Sequence, residues 1–516
     1  MTRTEAPAQT MADQSDTKTP LERMRERYDA GSENHRSAAI EKRHRKGWRT
    51  ARENLADLVD ADSFSEYGAL ALAAQRGRRD AEELIANTTG DGVITGIGTV
   101  NAEQFGAAAS RTALVINDYT VLAATQGFYH HRKIDRLLEI AARDRLPVVM
   151  YAEGGGGRPG DTDVATQVTG LDVPTFARWA RVGSRAPRIA VANGYCFAGN
   201  GLLFGCADFR IATRTAWIGM AGPAMIEAGG LGSFDATEIG PAETHFNQGT
   251  IDLLADNEAE ATRVTKQLLG YLQGASAEGQ AHQQSSLREV LPADRRFTYK
   301  VRPAITTIGD KDSFLELGAG FGSAMITGFM RMAGKPVGVL ANDNQSNAGA
   351  IDADAAAKAA RFLRLCDARH LPVVSFIDTP GFMVGPDSEA QAAVRHMAEM
   401  FTASAVFGPP MIAIVLRKAY GLGAMAMARG GFNEPEFCAA WPNGEFGAMG
   451  LEGAVKLGFR KELESIEDAD ERQRLFESLV QQLYERGSAL EVASMLEIDA
   501  VIDPADTRAE ILRMMR

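Results

Sequence analysis

The sequence predicts an α/β protein made of two similar domains that are related by internal duplication. Lys133–Gly160 and Lys358–Gly385 align without a gap and share nine identical residues, where chance would give about two. In both segments a helix-period pattern leads through Leu-Pro into a short apolar strand, which ends at an acidic residue and a glycine-containing loop. We therefore expect each half to form a βαβ-type domain with this loop at the carboxyl end of the same strand.

The repeat is expected to continue downstream at the same offset. This offset pairs Ile189 with Ile414 and Tyr195 with Tyr420, which carries the alignment through a second strand and the glycine-rich turn after it. Lys133 and Lys358 are also paired by the repeat, and we expect them to make structural contacts rather than to take part in catalysis.

The domain boundary is predicted near the middle of the chain. A chain of 516 residues is too long for a single core, which agrees with two domains. Gly274–Arg295 is poor in apolar residues and rich in Gln, Ser and Ala, so the boundary is placed inside it. We expect a disordered tail over residues 1–20, an N-terminal domain over 21–280 and a C-terminal domain over 281–516.

Composition narrows the class of protein. A net charge of −12 argues against nucleic acid as a partner. No run of eighteen or more apolar residues occurs, and Met1–Pro20 lacks an apolar signal-peptide core, so we expect no membrane insertion and a cytoplasmic location. The four cysteines show no CxxC spacing, which favours reduced thiols, and no metal site is expected.

The remaining elements follow from local patterns. Residues 21–60 are highly charged and predict two surface helices, and within them the basic run His44–Arg49 is expected to be a solvated helix face, with contact to a phosphate as the alternative. Lys461–Gly487 predicts one long charged amphipathic helix. Short strands are predicted at Gly92–Val100, Ala113–Asn117, Arg188–Ala192, Met325–Phe329 and Val337–Ala341.

Two glycine-rich turns carry the chemistry that the sequence suggests. No Gly-x-Ser-x-Gly, His-Glu-x-x-His or Walker A motif occurs. One turn leads into a helix near Gly199, and a similar turn follows the matching strand of the second half. Backbone amides at a helix start can form an oxyanion hole, so two such turns suggest two developing oxyanions. The alternative is that the glycines serve only close packing.

The order of motifs resembles one known family. The turn Asn193–Ala212 is similar to the acyl-CoA-binding turn of the crotonase superfamily, and the whole chain resembles the carboxyltransferase (beta) subunit of biotin-dependent acyl-CoA carboxylases, such as those for propionyl-, acetyl- and methylcrotonyl-CoA. The segments that carry the resemblance are Thr50–Phe64, Asp91–Val100, Asp118–Gly127, Glu153–Arg158, Lys358–Asp367, Asp378–Gly385, Leu416–Met425, Trp441–Gly450 and Val501–Arg508.

This resemblance implies an architecture and a set of partners. Two tandem crotonase-like (ββα-spiral) domains are implied, with acyl-CoA bound mainly by the N-terminal domain and carboxybiotin by the C-terminal domain of a partner subunit. Active sites would then lie at a dimer interface, commonly within a hexamer. The chain has no ATP-grasp signature and no Met-Lys-Met biotinylation site, so a biotin carboxylase and a biotin carboxyl carrier (alpha) subunit would act in trans.

The family's functional positions can be carried over residue by residue. The acyl-thioester oxyanion hole falls on the amides of Ala198 and Gly199, and the biotin-carbonyl hole on those of Leu422 and Gly423. The internal register instead pairs Ala198 with Gly423, so a shift by one residue is the alternative. Met425 lies where the family tunes acyl-chain length, or it is a core methionine. The remaining implied contacts are Gly155, Gly156, Gly157 and Arg158 on the CoA side and Gly381, Phe382, Tyr420 and Gly421 on the biotin side.

The implied reaction explains why no acid–base motif is found. Carboxybiotin would supply carbon dioxide and a ureido nitrogen that takes the α-proton of the acyl-CoA, so the protein need only hold the enolate and position the groups. Arg158 could contact a CoA phosphate or only anchor its loop. Two other functions stay open: the carboxyltransferase of a biotin-dependent acyl-CoA decarboxylase, and a non-catalytic scaffolding paralogue, which the altered loop Glu153–Arg158 would permit.

Overall fold

The computed structural model describes residues 18–30, 32–163 and 171–515. Most of the predicted tail therefore lies outside the described residues, and Pro20 is already the first residue of a helix. The strands are β1 Ser65–Tyr67, β2 Val93–Thr99, β3 Arg111–Asn117, β4 Val148–Tyr151, β5 Arg188–Ala192, β6 Tyr195–Phe197, β7 Phe209–Thr213, β8 Trp217–Gly219, β9 Leu253–Ala255, β10 Leu315–Leu317, β11 Met325–Met332, β12 Lys335–Asn342, β13 Val373–Thr379, β14 Met411–Tyr420, β15 Phe437–Ala440, β16 Glu445–Gly447 and β17 Ala500–Val501.

Helices precede and follow these strands throughout the chain. They are α1 Pro20–Asp29, α2 Ser37–His44, α3 Ala51–Leu58, α4 Ala81–Thr88, α5 Ala102–Phe105, α6 Ala107–Ser110, α7 Phe128–Asp144, α8 Thr175–Val182, α9 Gly199–Gly205, α10 Pro223–Ala228, α11 Ala242–Asn247, α12 Glu258–Leu272, α13 Arg302–Ile308, α14 Ala353–Ala368, α15 Pro386–Glu389, α16 Ala393–Ala405, α17 Gly421–Met427, α18 Leu451–Gly458, α19 Arg460–Glu464, α20 Ala469–Arg486, α21 Ala489–Ser494 and α22 Thr507–Met514.

The two halves of the chain form two sheets with the same plan. The first sheet has the strand order β1-β2-β3-β4-β5-β7-β9 and the second the order β10-β11-β12-β13-β14-β15-β17. In each sheet the first three strands pair antiparallel and the later ones pair parallel. Parallel strands need crossover connections, which α7 supplies in the first half and α14 in the second. The prediction of two similar α/β domains is confirmed.

The repeat keeps one register only as far as β4 and β13. Val149 pairs with Ile189 in the first sheet, whereas Val374 pairs with Ile412 in the second. The residue equivalent to Ile189 is therefore Ile412, and the predicted pairing with Ile414 is wrong. The cause is that the connection from β4 to β5 is two residues longer than that from β13 to β14.

This shift also changes the equivalences in the glycine turns. Phe197 pairs with Gly219 at the end of β6, and Tyr420 pairs with Gly447 at the end of β14. The next residues, Ala198 and Gly421, both have positive φ, of 52° and 60°. Ala198 is thus equivalent to Gly421 rather than to Gly423, and Tyr420 corresponds to Phe197 rather than to Tyr195.

The duplication also extends upstream of Lys133 and Lys358, where a gapless alignment of the two halves does not detect it. Arg52 forms an ion pair with Glu66, and Arg302 forms the same pair with Glu316, at 2.7 Å in both halves. The matching segments were missed because the first half has 25 residues between β1 and β2, including α4, where the second half has seven between β10 and β11.

The paired lysines Lys133 and Lys358 have the same structural role. Each is buried, and its ammonium group donates hydrogen bonds to backbone carbonyls at the start of the second strand of its sheet, at Val93 and Met325 respectively. Burial lowers the pKa of both ammonium groups to about 8. The prediction of repeated structural contacts is confirmed.

The two halves are joined by ion pairs and by a shared core. Arg361 on α14 donates to the Asp252 carboxylate at 2.5 and 3.1 Å and to the Asp208 carbonyl at 2.7 Å. Phe209 and Phe329, one from each half, pack edge to face with ring centroids 6.0 Å apart. Asp252 is fully buried, so these contacts fix the second half against the first.

One predicted helix is divided in two. The segment Lys461–Gly487 contains the end of α19 and the whole of α20 rather than one continuous helix. Asp468 caps α20, because its carboxylate accepts the amide of Glu471 at 2.7 Å. An N-cap in the middle of a charged run starts a new helix, since its own backbone is extended.

Candidate active site

A glycine-containing loop follows the matching strand in each half, β4 in the first and β13 in the second. The first loop begins at Glu153 and the acid equivalent to it in the second half is Asp378, the next-to-last residue of β13. Both acids are buried, with about a twentieth or less of their surface exposed. A buried carboxylate needs a partner, and the structure supplies one in each half.

Arg43 holds the first loop at its beginning. Its guanidinium donates to both carboxylate oxygens of Glu153, at 3.0 and 2.9 Å, and to the carbonyl of Arg49 at 2.8 Å. The side chains are only 8% and 7% exposed. This buried ion pair fixes the start of the loop.

Arg417 holds the second loop in the same way. Its guanidinium donates to Asp378 at 3.0 Å, and the amide of Lys418 donates to the same carboxylate at 3.1 Å. Asn344 adds a third bond at 3.2 Å. Arg417 comes from β14, whereas Arg43 comes from α2, so two different elements hold equivalent loops.

Arg158 closes the far end of the first loop. Its guanidinium donates to Asp91 at 2.6 Å, to Asp161 at 2.9 Å and to the carbonyl of Thr125 at 3.1 Å, and the side chain is 7% exposed. Burial raises the pKa of Asp91 to about 6, although Arg158 opposes the shift. These contacts favour the interpretation in which Arg158 anchors the loop, and a contact with a CoA phosphate stays a prediction.

The backbone of the first loop pairs with the segment around Gln126, and among the described residues this pairing leaves the amides of Gly156 and Gly157 without an acceptor. Gln126 donates its amide to the Gly156 carbonyl at 2.7 Å, and Arg158 donates its amide to the Gln126 carbonyl at 2.9 Å. Gly155 donates to the Ala123 carbonyl at 3.1 Å. The amide of Gly157, between these bonds, meets no acceptor in residues 18–30, 32–163 or 171–515.

The second loop repeats this arrangement. Ile351 donates its amide to the Gly381 carbonyl at 3.0 Å, and Met383 donates to the Ile351 carbonyl at 2.9 Å. The amide of Gly381 is bound to the Thr379 hydroxyl at 3.0 Å. Phe382 is therefore the equivalent of Gly157, and within the part of the chain that the structure describes its amide has no protein acceptor.

The helix start opposite the first loop is Gly199. The amide of Ala198 is engaged, because it donates to the Gly219 carbonyl at 2.9 Å and so extends the pairing of β6 with β8. The amide of Gly199 is the first of α9 and finds no acceptor among the described residues. Of the predicted pair Ala198 and Gly199, only the second has a hydrogen available for a ligand.

The helix start opposite the second loop is built from Leu422 and Gly423. Gly423 lies against the loop, since a Cβ on it would stand 2.8 Å from both the Gly381 Cα and the Phe382 nitrogen. Leu422 is 62% exposed, and its amide is equivalent to that of Gly199. Each half thus brings a loop amide and a helix-start amide to the carboxyl edge of its sheet.

The other predicted site residues lie around the second turn. Tyr420 donates its hydroxyl to Glu445 at 2.9 Å, and burial raises the pKa of that carboxyl above its usual range. Gly421 supplies the positive φ that starts the turn, and Met425 is half-buried on α17. The sequence missed Phe382 and Gly157 as a matched pair, because only the backbone pairing identifies their unused amides.

The described residues form neither a membrane-spanning helix nor a metal-binding cluster. No helix in that part of the chain is long and apolar enough to cross a membrane. No group of three or more His, Cys, Asp or Glu side chains there is arranged to hold a metal ion. The four cysteines are free thiols.

Comparison with known proteins gives consistent matches over almost the whole chain. The family model described as the carboxyl transferase domain matches residues 42–516. The propionyl-CoA carboxylase beta chain of Saccharopolyspora erythraea is 31% identical over 516 residues, covering 96% of this chain and 91% of its own.

Two solved structures match the fold. A single-chain, multi-domain long-chain acyl-CoA carboxylase matches with a TM-score of 0.91 and 50% identity over 97% of this chain, which spans 49% of that longer protein. Transcarboxylase 12S, a hexamer solved with methylmalonyl-CoA and methylmalonic acid bound, matches with a TM-score of 0.83 and 29% identity, covering 97% of this chain and 96% of its own. It has the crotonase fold with two similar domains.

Proposed function

We propose that this chain carboxylates the α-carbon of a long-chain acyl-CoA. The premise is that it belongs to the carboxyl transferase domain family and is a carboxyltransferase of the biotin-dependent acyl-CoA carboxylase type. The observation that carries the proposal is the pair of matched loops, in which the equivalent amides of Gly157 and Phe382 are both unused, as is an amide at the helix start opposite each loop. Two donors aimed at one oxygen are the elements of an oxyanion hole. Two such sites suit a reaction with two carbonyl groups to polarise.

The first site is assigned to the thioester of the acyl-CoA. The amides of Gly157 and Gly199 would donate to the thioester oxygen and stabilise the enolate that forms when the α-proton leaves. Gly155, Gly156 and Arg158 shape the loop, and Ala198 fixes the turn. The neighbouring helix α9 adds the partial positive charge of its N-terminus to the same oxygen.

The second site is assigned to the ureido carbonyl of biotin. The amides of Phe382 and Leu422 would hold that oxygen, with Gly423 keeping the turn close to the loop at Gly381. Carboxybiotin, when bound, supplies carbon dioxide and a nitrogen base. The residues of this chain fit such a group, because the carbonyl meets neutral donors while the nearby carboxylate of Asp378 is already paired.

In this proposal the chain positions the substrates and supplies the dipoles of its backbone amides, and none of its side chains acts as the base. Glu153 and Asp378, the acids nearest the two loops, are both bound by arginines and are buried. A carboxylate held in this way is a poor base, because the guanidinium stabilises its charged form. The loops are held at fixed positions before the substrates arrive, which is the condition under which backbone dipoles accelerate a reaction.

The long-chain substrate is supported by the level of similarity. Identity is 50% to the long-chain acyl-CoA carboxylase and 29% to transcarboxylase 12S. Met425, half-buried on the helix of the second turn, offers an apolar surface where the family is expected to tune chain length. The acyl group is therefore proposed to be longer than propionyl.

The proposal includes partners and a location. An acyl-CoA side in residues 21–280 and a biotin side in residues 281–516 would meet across a dimer, within a hexamer like that of transcarboxylase 12S. Exposed apolar side chains beside the second turn, Leu422 at 62% and Val384 at 81%, support an interface there. Biotin would arrive on a carrier protein served by a biotin carboxylase, and the free thiols suit the cytoplasm.

Reverse transcarboxylation tests the proposal directly. Purified protein is mixed with biocytin and a series of 2-carboxyacyl-CoAs derived from acetyl-, propionyl- and longer acyl-CoAs, and loss of the carboxyl group is followed. We expect turnover that is fastest with the longer chains, and a changed chain-length profile in Met425→Ala. Binding of CoA esters without any turnover would reject catalysis and favour a scaffolding paralogue.

A further inference from the structure

A cluster of aromatic side chains lies at the carboxyl edge of the first sheet. Tyr195 and Trp217 stack with ring centroids 5.1 Å apart and an interplanar angle of 26°. Trp48 meets the edge of Tyr195 at 6.0 Å, and Tyr119 lies 6.2 Å from it on another side. Tyr119, Tyr195 and Trp217 are only half-buried, so the aromatic cluster of these four residues reaches the surface.

An unpaired cation lies over this aromatic cluster. The Lys46 ammonium is 4.7 Å from the centroid of Trp48 and 5.8 Å from that of Tyr195. Lys46 is exposed, and no carboxylate of the described residues lies within ion-pair distance of it. Arg43 also stacks on Trp48, at 5.6 Å, but its charge is neutralised by Glu153. Lys46 is the central residue of the basic run His44–Arg49, for which the sequence left a phosphate contact open.

The aromatic cluster is connected to the first glycine loop. The carbonyl of Tyr195 accepts the amide of Gly154 at 2.7 Å, and Tyr195 lies only three residues before Ala198. In CoA, a pantetheine arm separates the thioester from an adenine ring and its phosphates. A protein that binds CoA esters therefore gains affinity from a second contact outside the reacting centre. An aromatic surface can bind the adenine base there, and a cation can bind a phosphate.

We propose that Lys46 and the aromatic cluster bind the adenosine-phosphate end of CoA. This inference rests on the proposed function, because it assigns a subsite for the same substrate. Cation–π contact keeps the ammonium over the rings and leaves N–H groups free to donate to a phosphate oxygen. The half-exposed edges of Tyr195 and Trp217 supply the apolar surface for adenine.

Calorimetric binding of CoA to the whole protein tests the inference. Lys46→Ala is expected to weaken CoA binding by about tenfold, as the loss of one charge-assisted hydrogen bond would. Lys46→Arg should bind nearly as well as the wild type. Arg45→Ala is the matched control, since it removes an exposed charge one residue away for which the structure shows no contact with the cluster, and it should have little effect.

A truncated substrate separates this subsite from a general charge effect. Acyl-pantetheine lacks adenosine and phosphates, so the wild type and Lys46→Ala should bind it equally well. Trp217→Leu should weaken CoA binding while Trp217→Phe keeps it, because only the second retains an aromatic face. Melting curves establish that each variant is folded.

The possible failures are distinguishable. If the wild type binds CoA and turns over, but Lys46→Ala binds CoA as tightly, the inference is wrong and the proposed function stands. Equal losses in Lys46→Ala and Arg45→Ala would also overturn it, since the effect would then be net charge. If the wild type binds no CoA ester at all, the proposed function itself fails.

Discussion

Gly156 packs directly against Ala198, so that a Cβ on Gly156 would stand 2.6 Å from the Cβ of Ala198. The backbone has φ +88° at Gly156, and φ 52° and ψ −121° at Ala198. Residues other than glycine rarely adopt such backbone conformations. The Ala198 amide is fixed by its bond to the Gly219 carbonyl. The first loop and the first helix start therefore have a single mutual spacing, and that spacing sets the distance between their unused amides.

Gly156→Ala should abolish the carboxyl-transfer activity while leaving the protein folded. The added methyl group meets Ala198 and must also adopt a positive φ, so the loop must move away from α9. We expect kcat to fall about a hundredfold or more, the size of effect seen when one oxyanion donor is lost. Gly205→Ala, at the other end of α9 where a Cβ meets nothing within 4 Å, should keep full activity in the same assay.

Gly423→Ala should disable the biotin side alone. A Cβ there would stand 2.7 to 2.8 Å from backbone atoms of Gly381 and Phe382, which cannot give way as a flexible side chain would. We expect no decarboxylation of carboxyacyl-CoA with biocytin but unchanged CoA binding by calorimetry. A parallel loss of CoA binding would contradict the assignment of the two turns to two substrates. Gly458→Ala, in open space, is the control.

Glu153→Gln should destabilise the protein, because it leaves the buried charge of Arg43 without a counter-charge. Breaking one partner of a buried ion pair typically costs about 3–5 kcal/mol. Urea denaturation should show this loss, and the double variant Arg43→Met/Glu153→Leu should recover part of it. Arg460→Ala, which removes an exposed ion pair with Glu464, should leave the urea midpoint unchanged.

His131 should make the protein less stable in mild acid. Burial lowers its pKa to about 4 in the folded protein, while in the unfolded chain it titrates near 6.5. The unfolded state therefore binds the proton first, and the stability that His131 contributes is complete above pH 6.5 and is lost as the pH falls toward 4. Between pH 6.5 and 5 this amounts to about 2 kcal/mol.

His131→Asn removes that titration and keeps a donor for the Thr175 hydroxyl, which accepts from His131 Nδ1 at 2.9 Å. The free energy of unfolding, measured in urea at pH 7.5 and pH 5, should differ less in the variant than in the wild type. Burial lowers the pKa of His130 to about 3, so His130 also makes the protein less stable in acid. This contribution is present in both the wild type and His131→Asn. An identical pH dependence would show that His131 has the same pKa in the folded and unfolded states, and so would contradict the prediction.

The duplication could be predicted from the sequence because helix, strand and loop kept their lengths between Lys133 and Gly160. It could not be followed through Arg52 and Arg302, since the β1–β2 connection of the first half is longer than the β10–β11 connection of the second and displaces one copy. It also failed beyond β4, where two extra residues before β5 change the equivalents of Ile189 and Ala198. Identities at a fixed offset detect a repeat only where no insertion has occurred.

The glycine turns were found from sequence, but the state of each amide was not. The amide of Ala198 is engaged by Gly219, a residue brought near only by the pairing of β6 with β8. The part played by Arg158 likewise depends on Asp91, which lies far away in the chain. Residue type predicts that a turn can expose amides, and tertiary pairing decides which ones remain unused.

Glu153 and Asp378 occupy the same place in the two copies, whereas Arg43 and Arg417 come from unrelated elements. The acid is the part that the two copies share, and each copy has a counter-charge of its own. The two loops thus became free to diverge separately. A change that reshapes the surroundings of one loop need not disturb the other, so the two loops can be engineered one at a time.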